Sequence, residues 1–188
     1  KYFQGKALMV KKILSEKVVV LSTNSSWTLL HFRLELIQAL RSCGIRLIVG
    51  APEDEFSTEL RKLGIDFVEI PVSSGGLKIF DELKALFAYL RVYRKVRPDL
   101  VHHFSAKPML IGTFAARICG VGSIVNTLTG LGHAYSKEGG LRSKLVNKLT
   151  QQLFFGRVQV TFQNPSDQQY FVENNLIKPN QAHLILGS

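Results

Sequence analysis

Val18-Val19-Val20-Leu21 is followed by the polar run Ser22-Thr23-Asn24-Ser25-Ser26, a helical stretch from Leu29 to Cys43 closed by Gly44, and a second strand-like run, Arg46-Leu47-Ile48-Val49. A short β-branched run, a polar loop, a longer stretch of helical period and another apolar run make a βαβ unit, which demands a parallel sheet. Gly44 supplies the left-handed residue that ends such a helix. The pattern repeats at once: a helix from Glu55 to Leu63 closed by Gly64, then the strand Phe67-Val68-Glu69-Ile70, stopped by Pro71.

Working outward, the loop Ser73-Ser74-Gly75-Gly76 leads to a long helix from Leu77 to Val96, stopped by Pro98. Strand Leu100-Val101-His102-His103, a helix from Met109 to Cys119 and strand Ile124-Val125-Asn126-Thr127-Leu128 follow. A glycine-containing loop from Thr129 to Gly140 precedes a helix from Leu141 to Phe155, then strand Val158-Gln159-Val160-Thr161-Phe162. Pro165-Ser166-Asp167 starts another helix, and Leu184-Ile185-Leu186 is a last strand-like run. The expectation is one α/β domain, Rossmann-like and doubly wound, around a mostly parallel sheet of about seven strands.

The chain has 188 residues, of which 46% are hydrophobic, and carries a formal net charge of +10. That composition supports a packed core and excludes disorder. The positive balance calls for a phosphate-bearing partner: nucleic acid, a phospholipid leaflet, or the diphosphate of a sugar carrier. Cys43 and Cys119 are too isolated for a disulfide scaffold or a zinc site, and no metal is expected. No apolar stretch approaches the roughly 20 residues needed to cross a bilayer, and no signal peptide is read at the start, so the expected compartment is the cytoplasm. Lys1-Tyr2-Phe3-Gln4-Gly5 reads as the scar of a cleaved affinity tag, leaving 6–188 as the domain. The stop at Gly187-Ser188 reads as a cut within a longer polypeptide.

Ligands of such sheets lie beyond the carboxyl ends of the strands, so chemistry is sought in those loops. The first loop lacks the G-x-G-x-x-G turn, and no P-loop, G-x-S-x-G elbow or H-E-x-x-H helix occurs, which removes the common readings of dinucleotide binding, NTP hydrolysis, serine hydrolysis and zinc proteolysis. Polar groups at strand ends remain. His31 and Arg33 fall early in the first helix, where they face a phosphate or a sugar, or else solvent. His102 and His103 point to opposite faces of their strand, and His103, nearer the loop, is the candidate; the competing reading is a hydrogen-bonded core imidazole. Lys107 at a helix start is disfavoured by the helix dipole unless an anion is close. Thr129-Gly130-Leu131-Gly132-His133 ends the fifth strand, and Gly130 and Gly132 let backbone amides approach a ligand or make a simple turn. No catalytic residue is assigned.

On the long helix, Lys84, Arg91 and Lys95 fall within roughly 40° of one another at ~100° per residue. They flank an apolar stripe of Phe80, Leu83, Phe87 and Leu90, read as the buried face. Lys144 and Lys148 form a second basic pair. A basic stripe is often a solvated face; here no acid lies between Leu83 and Arg97. With Phe80 and Phe87 in the core, the exposed aromatics that single-strand nucleic-acid grooves need are missing, so no nucleic-acid partner is expected.

His31-Phe32-Arg33 with Leu40 and Gly44, Pro52-Glu53-Asp54-Glu55, Leu60-Arg61-Lys62-Leu63-Gly64, Pro98-Asp99-Leu100-Val101-His102, Lys107-Pro108, Thr129-Gly130-Leu131-Gly132 and Phe162-Gln163-Asn164-Pro165-Ser166-Asp167 together resemble the N-terminal domain of a family-4 retaining glycosyltransferase of GT-B architecture. The resemblance runs from about Val18 to Ser188 and is closest to bacterial enzymes that extend lipid-diphosphate-linked glycans for capsule, O-antigen or glycoprotein assembly. It implies that this half binds the acceptor, while a C-terminal half absent from the chain holds most of the nucleotide-sugar site, so the isolated domain is expected to be inactive. The implied reaction needs no cofactor: a sugar passes from a nucleotide donor, commonly a UDP-sugar, to an undecaprenyl-diphosphate-linked acceptor, on the inner face of the cytoplasmic membrane. His31, Arg33, His103, Lys107, Thr129, Gly130 and Gly132 become acceptor or diphosphate contacts. Lys84, Arg91, Lys95, Lys144 and Lys148 become contacts to an anionic membrane. Many relatives carry histidine where Thr129 stands, which limits this position to hydrogen bonding. The alternatives are the N-terminal half of a UDP-sugar epimerase of the same architecture and a non-enzymatic basic nucleic-acid-binding domain.

Overall fold

The computed structural model describes residues 14–73, 75, 78–132, 135 and 140–186; the suspected tag remnant, His133 and Gly187-Ser188 lie outside them. Seven strands form one sheet: β1 (Val18–Ser22), β2 (Arg46–Ala51), β3 (Asp66–Glu69), β4 (Leu100–Phe104), β5 (Ser123–Leu128), β6 (Val158–Phe162) and β7 (Ala182–Leu184). Every pairing is parallel and the spatial order is β3-β2-β1-β4-β5-β6-β7, so the order reverses between β1 and β4. This is the Rossmann-like doubly wound arrangement, with its crevice placed at that reversal.

The described helices are α1 (Ser26–Phe32), α2 (Leu34–Ser42), α3 (Glu55–Lys62), α4 (Ile79–Val96), α5 (Ala106–Ile118), α6 (Leu141–Leu153) and α7 (Pro165–Glu173). Strand alternation divides the core in two. Val19 and Leu21 of β1 join Leu29, Ile37 and Leu60 beneath α1–α3, while Val20 joins Tyr89, Met109, Val146 and Phe171 beneath α4–α7. Asp54 caps α3, its carboxylate accepting from the Ser57 amide at 3.0 Å. Asn164 caps α7 through the Asp167 amide at 2.8 Å, with Pro165 in the first turn.

Three expectations are corrected. The first helix is two helices, because Arg33 leaves helical geometry at φ −126°, ψ 1°. The fifth begins at Ala106, with Pro108 inside a first turn whose amides have no intrahelical partner in any case. The last strand is Ala182–Leu184, which is held to β6 by backbone pairing rather than by the apolar run after it.

The largest departure concerns α4. Phe80 is 80% and Phe87 63% exposed, and Leu83 is also exposed, so the stripe read as core faces outward and only Leu90 of that set is buried. The buried face is Ala85, Tyr89, Leu90 and Tyr93. The tyrosines go inside because the sheet offers partners to their hydroxyls: Tyr89 donates to Ser22 Oγ at 3.0 Å and Tyr93 to His103 Nε2 at 2.8 Å.

Candidate active-site crevice

Beyond the carboxyl ends of β1, β2 and β3 lies a cavity of about 440 Å³ lined by Asn24, Ser25, Pro52, Asp54, Ser73, Lys78 and Asp81, among others. Its wall mixes amide, hydroxyl, carboxylate and ammonium groups, a donor and acceptor set that suits a polyhydroxylated ligand. None of the seven crevice candidates read from the sequence lines it. The polar run Ser22–Ser26 and the segment Pro52–Glu55 hold four of these seven residues; Ser73, Lys78 and Asp81 become neighbours of β1 only through the connection from β3 to α4.

His103 is not in the crevice. It is fully buried, its Nδ1–H donating to Asn126 Oδ1 at 2.8 Å and its Nε2 accepting from Tyr93. The Asn126 amide nitrogen is committed to Thr113 Oγ1 at 3.0 Å, which leaves its oxygen to face the imidazole and fixes the neutral tautomer. Burial pulls the His103 pKa down to about 4, against a smaller upward pull from Asn126. Gly112 packs directly under the ring, so a Cβ there would collide with it. The core-imidazole reading holds for this residue.

His102 is the histidine on the opposite face. Its Nε2 meets Thr127 Oγ1 at 2.6 Å, and Thr127 in turn meets Thr161 Oγ1 at 2.6 Å, a polar row running across β4, β5 and β6. Burial, then the neighbouring His103 and Arg33, lower its pKa to about 3, so it is uncharged near neutrality. Its ring lies 4.2 Å from that of Phe104, and the guanidinium of Arg33 sits 4.7 Å from the Phe104 centroid. Arg33 Nε is buried with no hydrogen-bond partner, and burial lowers the arginine pKa. The helix break at Arg33 therefore delivers a cation to the end of β4.

His31 is exposed, donating from Nδ1 to the Trp27 carbonyl at 3.0 Å and stacking on Trp27 at 4.8 Å. Lys107 is engaged: its ammonium pairs with Glu82 at 2.7 Å and donates to Ser73 Oγ at 2.7 Å. The anion that offsets the helix dipole is thus supplied by α4, and the pair ties α5 to the cavity wall at Ser73. Thr129, Gly130 and Gly132 are exposed after β5, with φ of +142° at Gly130 and +50° at Gly132, both open to glycine and uncommon for other residues. Ser105, which follows β4 and starts α5, holds φ +74°, ψ 152°, a backbone state that costs a non-glycine residue about 1–3 kcal/mol and that concentrates at functional sites.

The basic residues Lys84, Arg91, Lys95, Lys144 and Lys148 are all exposed. They share their helices with Phe80, Phe87 and Leu145, the last 54% exposed. Basic side chains interleaved with outward aromatics remove the argument from burial against nucleic acid. Among the described residues no helix is long and apolar enough to cross a membrane, and no group of three metal-ligating side chains occurs.

A family model described as glycosyl transferase 4-like matches residues 17–164, well over half of the chain. A Campylobacter jejuni protein named N,N'-diacetylbacillosaminyl-diphospho-undecaprenol alpha-1,3-N-acetylgalactosaminyltransferase is 27% identical over 158 residues, which cover 82% of this chain and 42% of that protein. Among solved structures, MurG of Acinetobacter baumannii superposes with a TM-score of 0.60 at 16% identity, covering 92% of this chain and 45% of that one. UDP-N-acetylglucosamine 2-epimerase of Rickettsia bellii gives 0.64 at 12% identity, covering 91% and 45%. The two structures share the fold. The chain spans less than half the length of each of these relatives.

Proposed function

Since the chain belongs to the glycosyl transferase 4-like family, we propose that it is the acceptor-binding, N-terminal half of a GT-B glycosyltransferase that extends an undecaprenyl-diphosphate-linked glycan from a nucleotide-sugar donor. The family match carries this reading, and the name of the Campylobacter relative supplies the acceptor class. The crevice residues Asn24, Ser25, Ser73 and Asp81 hydrogen-bond acceptor hydroxyls, and Arg33 with the Thr129-Gly130-Leu131-Gly132 turn lies at the neighbouring strand ends, toward the phosphates and the donor. His102, neutral and bonded to Thr127, keeps that end of β4 rigid. The donor site belongs to a second half, where the departing nucleotide diphosphate removes the proton from the incoming hydroxyl on the same face, giving retention without a protein nucleophile.

The protein works at the inner face of the cytoplasmic membrane. Lys84, Arg91, Lys95, Lys144 and Lys148 meet anionic headgroups, each worth on the order of 1 kcal/mol near a charged surface, while Phe80, Phe87 and Leu145 enter the interface. Lys84→Glu, Arg91→Glu and Lys95→Glu together are expected to abolish salt-sensitive binding to phosphatidylglycerol vesicles; unchanged binding would refute the membrane assignment, as would tighter binding to single-stranded RNA or DNA than to vesicles.

Product analysis with the complete protein tests the activity. The expected outcome is a lengthened lipid-linked glycan and a free nucleotide with the anomeric configuration kept. An isomerised sugar nucleotide without glycan extension would make the protein an epimerase, as the Rickettsia bellii protein is named.

A further inference from the structure

Trp27, His31 and Phe32 on α1 and Phe56 on α3 bring four rings together at the surface. The His31 ring stacks on Trp27 at 4.8 Å, Phe32 stands nearly perpendicular to the indole at 5.2 Å, and Phe56 nearly perpendicular to His31 at 5.7 Å. Trp27 is 42% and Phe32 55% exposed, and His31 is exposed as well. The core beneath these helices is closed by Leu29, Ile37 and Leu60, so the exposed rings are surplus to the packing of the fold. The indole N–H has no hydrogen-bond partner among the described residues. Two chain segments join the cluster to the crevice. Ser25 lines the crevice and Trp27 follows two residues later; Asp54 lines it and Phe56 follows two residues later. Two residues span at most about 7 Å, so the backbone at both rings starts within that distance of the crevice wall. Ser26 donates to the Pro52 carbonyl at 2.8 Å and α1 packs on α3, which makes the two segments one wall.

Charge selects the partner. Glu53, Asp54 and Glu55 stand together just before Phe56, an acidic run in a chain of formal net charge +10. Arg61 neutralises Glu53 and Asp54 caps α3, while Glu55 is exposed and has no partner among the described residues. Arg33, the cation next to Phe32 in sequence, holds its guanidinium over Phe104. A free carboxylate beside the rings repels the phosphates of lipid or nucleic acid and accepts a hydrogen bond from a sugar hydroxyl. A pyranose ring fits the rest: its flat C–H patch packs on an aromatic face, and its hydroxyl rim meets the indole N–H.

We infer that the ring cluster is a saccharide subsite adjoining the crevice: a neutral sugar of the acceptor glycan, next to the one whose hydroxyl reacts, stacks on Trp27, His31 and Phe32. This rests on the acceptor-glycan reading above and deepens it, because it makes the rings determinants of the glycan length that the protein recognises.

Trp27 is the single tryptophan of the chain, so its fluorescence reads contact at the cluster. The probes are neutral mono-, di- and trisaccharides of glucose, N-acetylglucosamine and N-acetylgalactosamine, added up to their solubility. Stacking reads the C–H face of a sugar more than the pattern of its hydroxyls, so absence of binding across this panel is decisive. The expected result is a shift of Trp27 emission and protection from acrylamide quenching, with the longer saccharides binding about tenfold more tightly than the monosaccharides. By calorimetry, Trp27→Ala should weaken their binding about three- to tenfold and Trp27→Phe should restore it to within about twofold. Phe80→Gln with Phe87→Gln on α4 should leave it unchanged. In the unsubstituted protein, no binding by any saccharide, or binding that leaves Trp27 emission and quenching as they were, would overturn the inference. Shielding of Trp27 by phosphatidylglycerol vesicles in place of sugars would overturn it too. Glycan extension by the complete protein with Trp27 unprotected would remove the subsite alone, and a protected Trp27 without extension would remove the enzyme assignment alone.

Discussion

The two faces of α4 reverse the usual distribution of polarity. Inward it presents Tyr89 and Tyr93, which join Ser22, His103, Asn126 and Thr113 in a buried hydrogen-bonded network; outward it presents Phe80, Leu83 and Phe87. A buried polar group is tolerated when its partners are in place, and each tyrosine hydroxyl has one. An exposed aromatic cluster has no such compensation within the described fold, and patches of that kind mark surfaces that meet something else. The inner face fixes the strand ends that shape the crevice, and the outer face is held ready for contact.

Acid should act first on the enclosed imidazoles, His103 within this network and His102 on the other face of β4. Both imidazoles have folded pKa values below the unfolded value of 6.5, about 3 for His102 and about 4 for His103, with burial the leading cause. As pH falls through 6.5 the unfolded chain takes up protons that the folded chain refuses. Stability therefore declines below about pH 6.5 and levels off once the folded values are passed, at a cost on the order of 3 kcal/mol per imidazole. Urea unfolding at about pH 7, 5.5 and 4.5 reads this directly. A flat stability across that window would mean that neither imidazole is enclosed as described.

Removing one hydroxyl sharpens the comparison. Tyr93→Phe leaves the ring packed and the His103 Nε2 lone pair without its donor, which should cost about 1–3 kcal/mol. Gly112→Ala drives a methyl group into the same imidazole and should cost about 1–3 kcal/mol through overpacking. The informative test is the pair: because both act on His103, the double variant should lose less than the two single losses added together, a coupling that a thermodynamic cycle measures. Full additivity would separate the two sites and dissolve the network.

Much of the fold was legible in local sequence, and the reason is visible in particular elements. β1 and β2 combine β-branched and leucine side chains with a glycine-closed helix between them, so neither their identity nor their parallel pairing depended on distant residues. The same logic could not orient α4. Its apolar residues at 80, 83, 87 and 90 and its residues at 85, 89 and 93 both repeat at helical spacing. The choice between them was made by Ser22 and His103, 67 and 10 residues away from their tyrosines. The histidines repeat the lesson: strand alternation says that His102 and His103 face apart, but only Tyr93 and Asn126 decide which one is core. In the crevice, the loop after β1 was legible, while Ser73, Lys78 and Asp81 needed the turn after β3 to bring them in.

The smallest effect on stability is expected from the outer face, and its size is the point. Phe80 at 80% and Phe87 at 63% exposure bury little area in this fold, so Phe80→Gln with Phe87→Gln should change unfolding free energy by less than about 0.5 kcal/mol. Two buried phenylalanines replaced in the same way would cost several kcal/mol. A near-zero change in chemical denaturation, measured beside a lost affinity for phosphatidylglycerol vesicles, would show that these rings serve contact and not the core. A loss of about 2 kcal/mol or more would mean that the rings are covered in the folded protein, and that the reversal of polarity across α4 stops at its first turns.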